Sequence, residues 1–328
     1  MSVFADSPAL RNHWHPVAEG DDLAGGPLAV RLLERDYVVW RGPDGLVVAA
    51  ADRCPHRETP LSLGRLDEGC LVCPYHGWTF GGGGRCVYVP SAGTGSPVPP
   101  ASHLSTICVQ ERYGLVWLCP GTPERPLFAM PWDDDPAYRR INTGMQRWST
   151  SAMRMTDNFL DISHFPWVHT GTFGISQNTE VPTIELEELD DDFVGYAYEV
   201  DARNELGAVA SGQEGEVVHR SMSTGYHLPF TVRSTIHYDT GLDHVILLCS
   251  VPIDDASSYF TFVVWRNDDF SVPADDVIAF DRAIGEEDKR MLERVPGPLP
   301  LDAQSTVSVQ ADKASVDWRR RFAALVGS

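Results

Sequence analysis

Two short stretches of this sequence carry residues able to hold a redox metal. They read Cys54-Pro55-His56-Arg57 and Cys73-Pro74-Tyr75-His76-Gly77-Trp78, with 16 residues between His56 and Cys73. Each pairs one thiolate with one imidazole on what must be a tight loop. Two such loops facing each other supply the donor set of a Rieske-type [2Fe–2S] cluster, two Cys on one iron and two His on the other, which raises the reduction potential above that of an all-thiolate cluster. A structural Cys₂His₂ zinc site uses the same residue types. Against zinc, C-x-H is shorter than the usual ligand spacing, and a chain of 328 residues has core enough without a stabilising ion.

A second constellation runs from Asp157 to His169. Asn158, Asp161 and His164 recur every three residues and would share one face of a helix. Pro166 is expected to end that helix, so that His169 turns back beside His164. Two neutral imidazoles and one carboxylate from elsewhere form the 2-His-1-carboxylate triad of Fe(II) oxygenases, which leaves a face of the metal open. The competing reading is two histidines satisfied within an aromatic core. The carboxylate is sought in residues 272–296, where apolar residues recur at near-helical spacing among acids. Asp281 follows Phe280 on the apolar side, and Glu286, Glu287 and Asp288 are its neighbours and competitors.

The remaining sequence must position these groups. LAVRLLERDYVVWRG and GLVVAA, joined by Gly42-Pro43-Asp44-Gly45, predict a hairpin leading to the first ligand loop. CLVCPYHGWTF enters the second loop from a strand, and Gly81–Gly84 closes that hairpin without a nucleotide-binding G-x-G-x-x-G context. CVYVP and YGLVWLCPG add short strands, so the first part is all-β. The Pro-rich stretch at 122–132 places a seam near residue 125, giving domains 1–125 and 126–328. Residues 181–270 alternate as a long antiparallel sheet, on which His219, His227 and His237 are more readily surface or hydrogen-bonded residues than site residues. ASVDWRRRFAALV predicts a terminal amphipathic helix with Val316, Phe322 and Leu325 inward.

Composition excludes several classes. Hydrophobic residues make up 43% and charged residues 22%, as in a folded globular protein. A formal net charge of -20 argues against a nucleic-acid partner. No apolar run reaches membrane-spanning length and the N-terminus has no leader pattern, so no membrane association and a cytoplasmic location are expected. Cys70, Cys86, Cys108, Cys119 and Cys249 read as ordinary reduced cysteines.

C-P-H-R…C-P-Y-H-G-W together with N-x-x-D-x-x-H-x-x-x-x-H resembles the Rieske non-haem iron oxygenase α-subunits, from His15-Pro16-Val17 through the last helix. The resemblance implies an α+β chain: an N-terminal all-β Rieske domain, then a helix-grip (START/Bet v1-like) catalytic domain whose curved antiparallel sheet wraps a helix. It implies a [2Fe–2S] cluster on Cys54, His56, Cys73 and His76, and mononuclear Fe(II) on His164, His169 and Asp281, the position matching the family's late carboxylate ligand. Asp161 would bridge a cluster histidine, His76, of a neighbouring chain to His164, with Asn158 beside the metal but not ligating it. Tyr75 and Trp78 would pack over the cluster and tune it.

Dioxygen is then the co-substrate, and electrons from NAD(P)H arrive only through a separate reductase or ferredoxin, for which Arg57, Arg65 and Arg85 are a candidate docking patch. A head-to-tail homotrimer would bring one chain's cluster to the next chain's iron. The length is similar to the compact members, the vanillate and dicamba O-demethylases, so monooxygenation by hydroxylation or by O- or N-demethylation of a small aromatic or cyclic substrate is expected first and cis-dihydroxylation second. A Rieske electron carrier and a zinc-stabilised apolar-ligand cradle are the readings from other classes.

Overall fold

A computed structural model describes residues 3–5, 7–204, 211–212, 214–268, 270–302 and 305–327. The chain divides into two compact units, Met1–Pro126 and Leu127–Ser328.

The first unit opens with a helical turn, α1 (Pro8–Arg11), and is otherwise built of short strands. β1 (His15–Glu19) pairs with β10 (Leu115–Cys119), which pairs with β9 (Cys108–Arg112). β2 (Leu28–Leu32), β3 (Arg35–Arg41) and β4 (Val47–Ala51) form the expected antiparallel meander, and the Gly42–Gly45 turn is closed by the Gly42 N–H donating to the Leu46 carbonyl at 2.8 Å. β5 (Arg65–Asp67), β6 (Cys70–Val72), β7 (Thr79–Phe80) and β8 (Cys86–Tyr88) make a small third sheet. Val38, Trp40, Leu61, Leu71 and Phe80 pack with the side chains of Cys54 and Cys73 in one core, so both ligand loops are rooted in buried apolar residues.

The second unit is one eight-stranded antiparallel sheet with helices laid on it. Its order is β11 (Arg139–Asn142), β18 (Ser257–Arg266), β17 (Asp243–Asp254), β16 (Thr231–Tyr238), β15 (Val217–His227), β14 (Val194–Arg203) and β13 (Glu187–Glu188), with β12 (Gln146–Trp148) also pairing with β18. The burial of β15 alternates along much of its length, as a half-covered strand requires. α2 (Ala152–Phe159) lies against β16, β17 and β18 and against α5 (Lys313–Val326). α4 (Ala274–Leu292) presents Val277 and Leu292 to Trp148, Met155, Phe260 and Phe262.

Three sequence expectations change here. No single helix runs from Asn158 to His164. α2 stops at Phe159, the Leu160 carbonyl is taken up by the Tyr196 hydroxyl at 2.9 Å, and Asp161 Oδ1 accepts the Ser163 N–H at 2.7 Å. That side-chain turn competes with the helix and wins. Pro166 accordingly lies in the first turn of a new short helix, α3 (Phe165–Val168), where its missing N–H costs nothing, instead of ending the old one. In α5 Phe322 is buried as expected and Trp318 joins it, with its Nε1–H on the Pro229 carbonyl at 2.9 Å, whereas Val316 is 40% exposed.

Candidate metal centres and substrate cavity

The two cluster loops share one backbone pattern. The Cys54 N–H donates to the Thr59 carbonyl at 2.9 Å and the Glu58 N–H donates back to the Cys54 carbonyl at 2.8 Å; in the second loop Cys73 N–H to Trp78 O and Gly77 N–H to Cys73 O repeat this at 2.9 and 3.1 Å. In both, the residue four beyond the cysteine is left-handed, Glu58 at φ 59° and Gly77 at φ 69°. The loops differ in where the histidine falls. His56 and His76 nevertheless meet, ring centroids 4.4 Å apart, with Trp78 stacked on His56 at 4.7 Å and Tyr75 against His76 at 3.9 Å.

The Cys54 thiol lies against that of Cys73, and burial pushes it up to about 11. A metal must displace that proton to bind there. His56 Nδ1 and Trp78 Nε1 are buried with no partner. Two thiols, two imidazoles and an orphaned ring nitrogen suit a two-iron cluster.

The second centre is built by α3 and α4. His164 precedes α3 and His169 follows it, so one helical turn brings their Nε2 atoms to 3.1 Å. Each also lies 3.4 Å from Asp288 Oδ1 of α4, and these three donors are a group able to hold one ion. Such spacings are those between neighbouring ligands on a metal with bonds of about 2.1 Å.

The Nδ1 sides are held by other acids. His169 Nδ1 stands 3.0 Å from Glu287 Oε2, and Glu287 also accepts the Gly171 N–H at 2.9 Å and the Thr172 hydroxyl at 2.7 Å. His164 Nδ1 is 3.4 Å from Asp161 Oδ2, long for a hydrogen bond. Asn158 Nδ2 donates to Asp288 Oδ1 at 3.0 Å. Burial works against a charge on His164, but Asp161 and Asp288 outweigh it and hold its pKa up at about 9; burial also opposes ionisation of Asp288, and the two histidines outweigh it to hold that carboxyl well below the usual range.

The structure corrects the expected carboxylate. Asp281 does not join the two histidines; Asp288 does. Both are buried, at 6% and 5%, and they stand seven residues apart on α4, two turns along nearly the same face. A face can be read from periodicity, but the turn of the helix that reaches α3 cannot. Asp281 instead faces His244 of β17, with Oδ2 3.3 Å from its Nε2.

The cavity between sheet and helices runs along this face of α4. It holds about 850 Å³ of empty volume, part of it open to solvent, and His164, His169 and Asp288 line it together with Phe159, Phe173 and Phe260. Arg220, Ser234, Tyr238, His244 and Asp281 supply its polar lining. Phe173 belongs to the loop after His169. His244 was missed in the sequence because it sits inside an unremarkable strand pattern. Among the other strand histidines, His219 pairs with Glu199 and Asp201, His237 with Asp243, and His227 with the Asp192 carbonyl; none of the three lines this cavity.

Residues 13–106 match the Rieske [2Fe-2S] domain family and residues 148–328 the vanillate O-demethylase oxygenase C-terminal domain family. Methylxanthine N1-demethylase NdmA of Pseudomonas putida is 32% identical over 95% of this chain and 88% of its own length. Dicamba O-demethylase oxygenase of Stenotrophomonas maltophilia is 38% identical over 49% of this chain and 48% of its own. The NdmA structure with caffeine from Pseudomonas putida CBB5 superposes with a TM-score of 0.84 at 31% identity, covering 97% of this chain and 92% of that one. Dicamba monooxygenase with 3,6-dichlorosalicylic acid gives 0.81 at 25% identity, covering 97% and 98%.

The chain therefore belongs to the Rieske non-haem iron oxygenases, as an oxygenase α-subunit of the vanillate O-demethylase type. It is an oxidoreductase acting with O₂, carrying a [2Fe–2S] cluster and a mononuclear iron, and it works as the oxygenase component of a multicomponent system fed by a reductase or ferredoxin. Among the described residues no helix is long and apolar enough to cross a membrane.

Proposed function

We propose that this chain is an oxygenase that demethylates a small planar methoxy- or N-methyl-substituted ring compound, in a cytoplasmic homotrimer arranged head to tail. The observation that carries the reading is the His164–His169–Asp288 group set into a largely apolar cavity. Cys54, Cys73, His56 and His76 hold the cluster, and His164, His169 and Asp288 hold the iron. When bound, the iron supplies the activation of dioxygen that oxidises a methyl C–H bond. The overall change is R–OCH₃ + O₂ + 2e⁻ + 2H⁺ → R–OH + HCHO + H₂O, the two electrons being supplied by the external donor.

The chain's own residues set this up. Glu287 accepts the His169 Nδ1 proton, leaving Nε2 free for the metal, while Asp161 faces His164 Nδ1 only at 3.4 Å, without a hydrogen bond. Asp161 also serves as the bridge to His76 of the neighbouring chain, which makes it a positioning residue for electron entry. Phe159, Phe173, Phe260 and Phe262 exclude water from the reacting methyl group.

Relatives named as N- and O-demethylases favour this reaction over cis-dihydroxylation. The test is turnover of iron-replete protein with a reductase under ¹⁸O₂. One formaldehyde per O₂ consumed, with at most one labelled atom in the organic products, is expected. A cis-diol carrying both labelled atoms would contradict it.

A further inference from the structure

Arg220 lines the cavity at 3% exposure, yet its Nε and one Nη are buried without a partner. Among the described residues no carboxylate lies within 4 Å of its guanidinium; the contacts it makes are to ring faces, Phe173 at 5.3 Å and Tyr238, its cross-strand neighbour, at 5.5 Å. Burying an unpaired guanidinium is costly, and a fold has no use for it. Phe173 in turn stacks on His169 at 4.8 Å, so Arg220 stands one ring layer away from the metal centre.

The other charges of the cavity wall each stand within 4 Å of a group able to pair with them, although Asp281 Oδ2 makes no hydrogen bond there. Asp281 faces His244 Nε2, and His244 Nδ1 takes an N–H from Arg266 at 2.9 Å. Arg266 and Arg139 both contact Asp268. That chain of two acids and two arginines is neutral, with His244 between them. Arg220 lies outside it and is the uncompensated charge.

We propose that Arg220 anchors the substrate by an anionic oxygen group, so that this oxygenase selects a methylated aromatic acid over its neutral analogue. The inference rests on the demethylase reading for the word methylated, but not for the anion. Carboxylate and sulfonate share the required chemistry: two coplanar oxygens meeting a guanidinium fork. Phe173, Ile236 and Ile246 line the same cavity as Arg220, His164 and His169, and so offer an apolar surface for the ring of a substrate held on Arg220.

The test is anaerobic calorimetry on the iron-loaded, cluster-containing protein, with no turnover. The probes are 3-methoxybenzoate, 3-methoxybenzenesulfonate and the neutral 3-methoxybenzamide. At least one acid is expected to bind more than about 30-fold tighter than the amide, the scale of losing one partner of a buried charged pair. Arg220→Met should abolish that preference while binding the amide unchanged, and Arg220→Lys should restore part of it. Arg220→Met, freed of a buried charge, should unfold no lower than the wild type.

Equal binding of acid and amide, no acid binding at millimolar concentration, a preference that survives in Arg220→Met, or a marked loss of stability in that variant would each overturn the proposal. Acid binding through Arg220 with no formaldehyde released would leave the anchor standing and reject the demethylase reading.

Discussion

His164 Nε2 and His169 Nε2 stand 3.1 Å apart although the residues bracket a separate helical turn, and both face Asp288 Oδ1 at 3.4 Å. This closeness follows from how the chain is interrupted. Had α2 continued through His164, the two rings would have been fixed by one helix at a five-residue interval, facing apart. The Asp161 turn ends the helix first, and α3 then sets His164 before its start and His169 after its end.

The Nδ1 partners of these rings should separate into two behaviours. Glu287 makes three contacts, to His169, Gly171 and Thr172, and so fixes both the ring and the loop behind it. Glu287→Ala is expected to weaken iron retention by roughly 10–100-fold, the usual loss when an outer partner of a metal-bound histidine is removed. Asp161 has the longer contact, 3.4 Å. Asp161→Asn should keep its iron but pass electrons from reduced cluster to iron more slowly, which single-turnover stopped-flow spectroscopy would show. Iron loss in Asp161→Asn with normal transfer in the remainder would contradict that division.

The left-handed positions of the cluster loops should respond unequally. A Cβ on Gly77 would be strained at φ 69° and would meet the Pro90 ring at 3.1 Å. Gly77→Ala should cost roughly 1–2 kcal/mol or more and lower cluster occupancy. Glu58→Gly removes the same strain and an exposed pair with Arg53, effects of about 1 kcal/mol or less that oppose each other. Cluster absorbance per chain measures both, and equal losses in the two variants would refute the assignment.

His15 gives the first unit a defined acid sensitivity. Burial lowers its pKa to about 4, against the opposing pull of the Leu10 carbonyl at 2.8 Å. Above the ordinary value of 6.5 both folded and unfolded chains hold it neutral, and its contribution is constant. As pH falls below 6.5 the unfolded chain binds a proton that the folded chain refuses. Stability should therefore drop by about 3 kcal/mol between there and pH 4, then level off. Urea unfolding followed by cluster colour, in wild type and His15→Gln, isolates the effect: the wild type should lose the extra stability, and parallel curves would show that His15 is not its source.

Much of this was legible in the sequence because ligand loops are local. C-x-H and C-x-x-H carry their chemistry in consecutive residues, and so does the spacing from Asn158 to His169. The carboxylate that joins the two histidines was not local. Asp281 and Asp288 differ by seven residues, 700° of helix, so they share a face within about 20° and differ by about 10 Å of rise. Periodicity fixes the first and is silent on the second. The break after Phe159 was hidden for a related reason, since Asn158, Asp161 and His164 fit a helical interval that the Asp161 side chain itself disrupts. Arg220 and His244 could not be read at all, because alternation along β15 and β17 says which side of the sheet a residue faces and nothing about a missing partner.

The most direct test of the central claim is iron content of anaerobically purified Asp288→Ala beside Asp281→Ala, with the cluster quantified by its visible absorbance. About three irons per chain are expected in wild type and in Asp281→Ala, and about two in Asp288→Ala, with cluster absorbance equal in all three. Loss of the third iron in Asp281→Ala and its retention in Asp288→Ala would contradict the site described above.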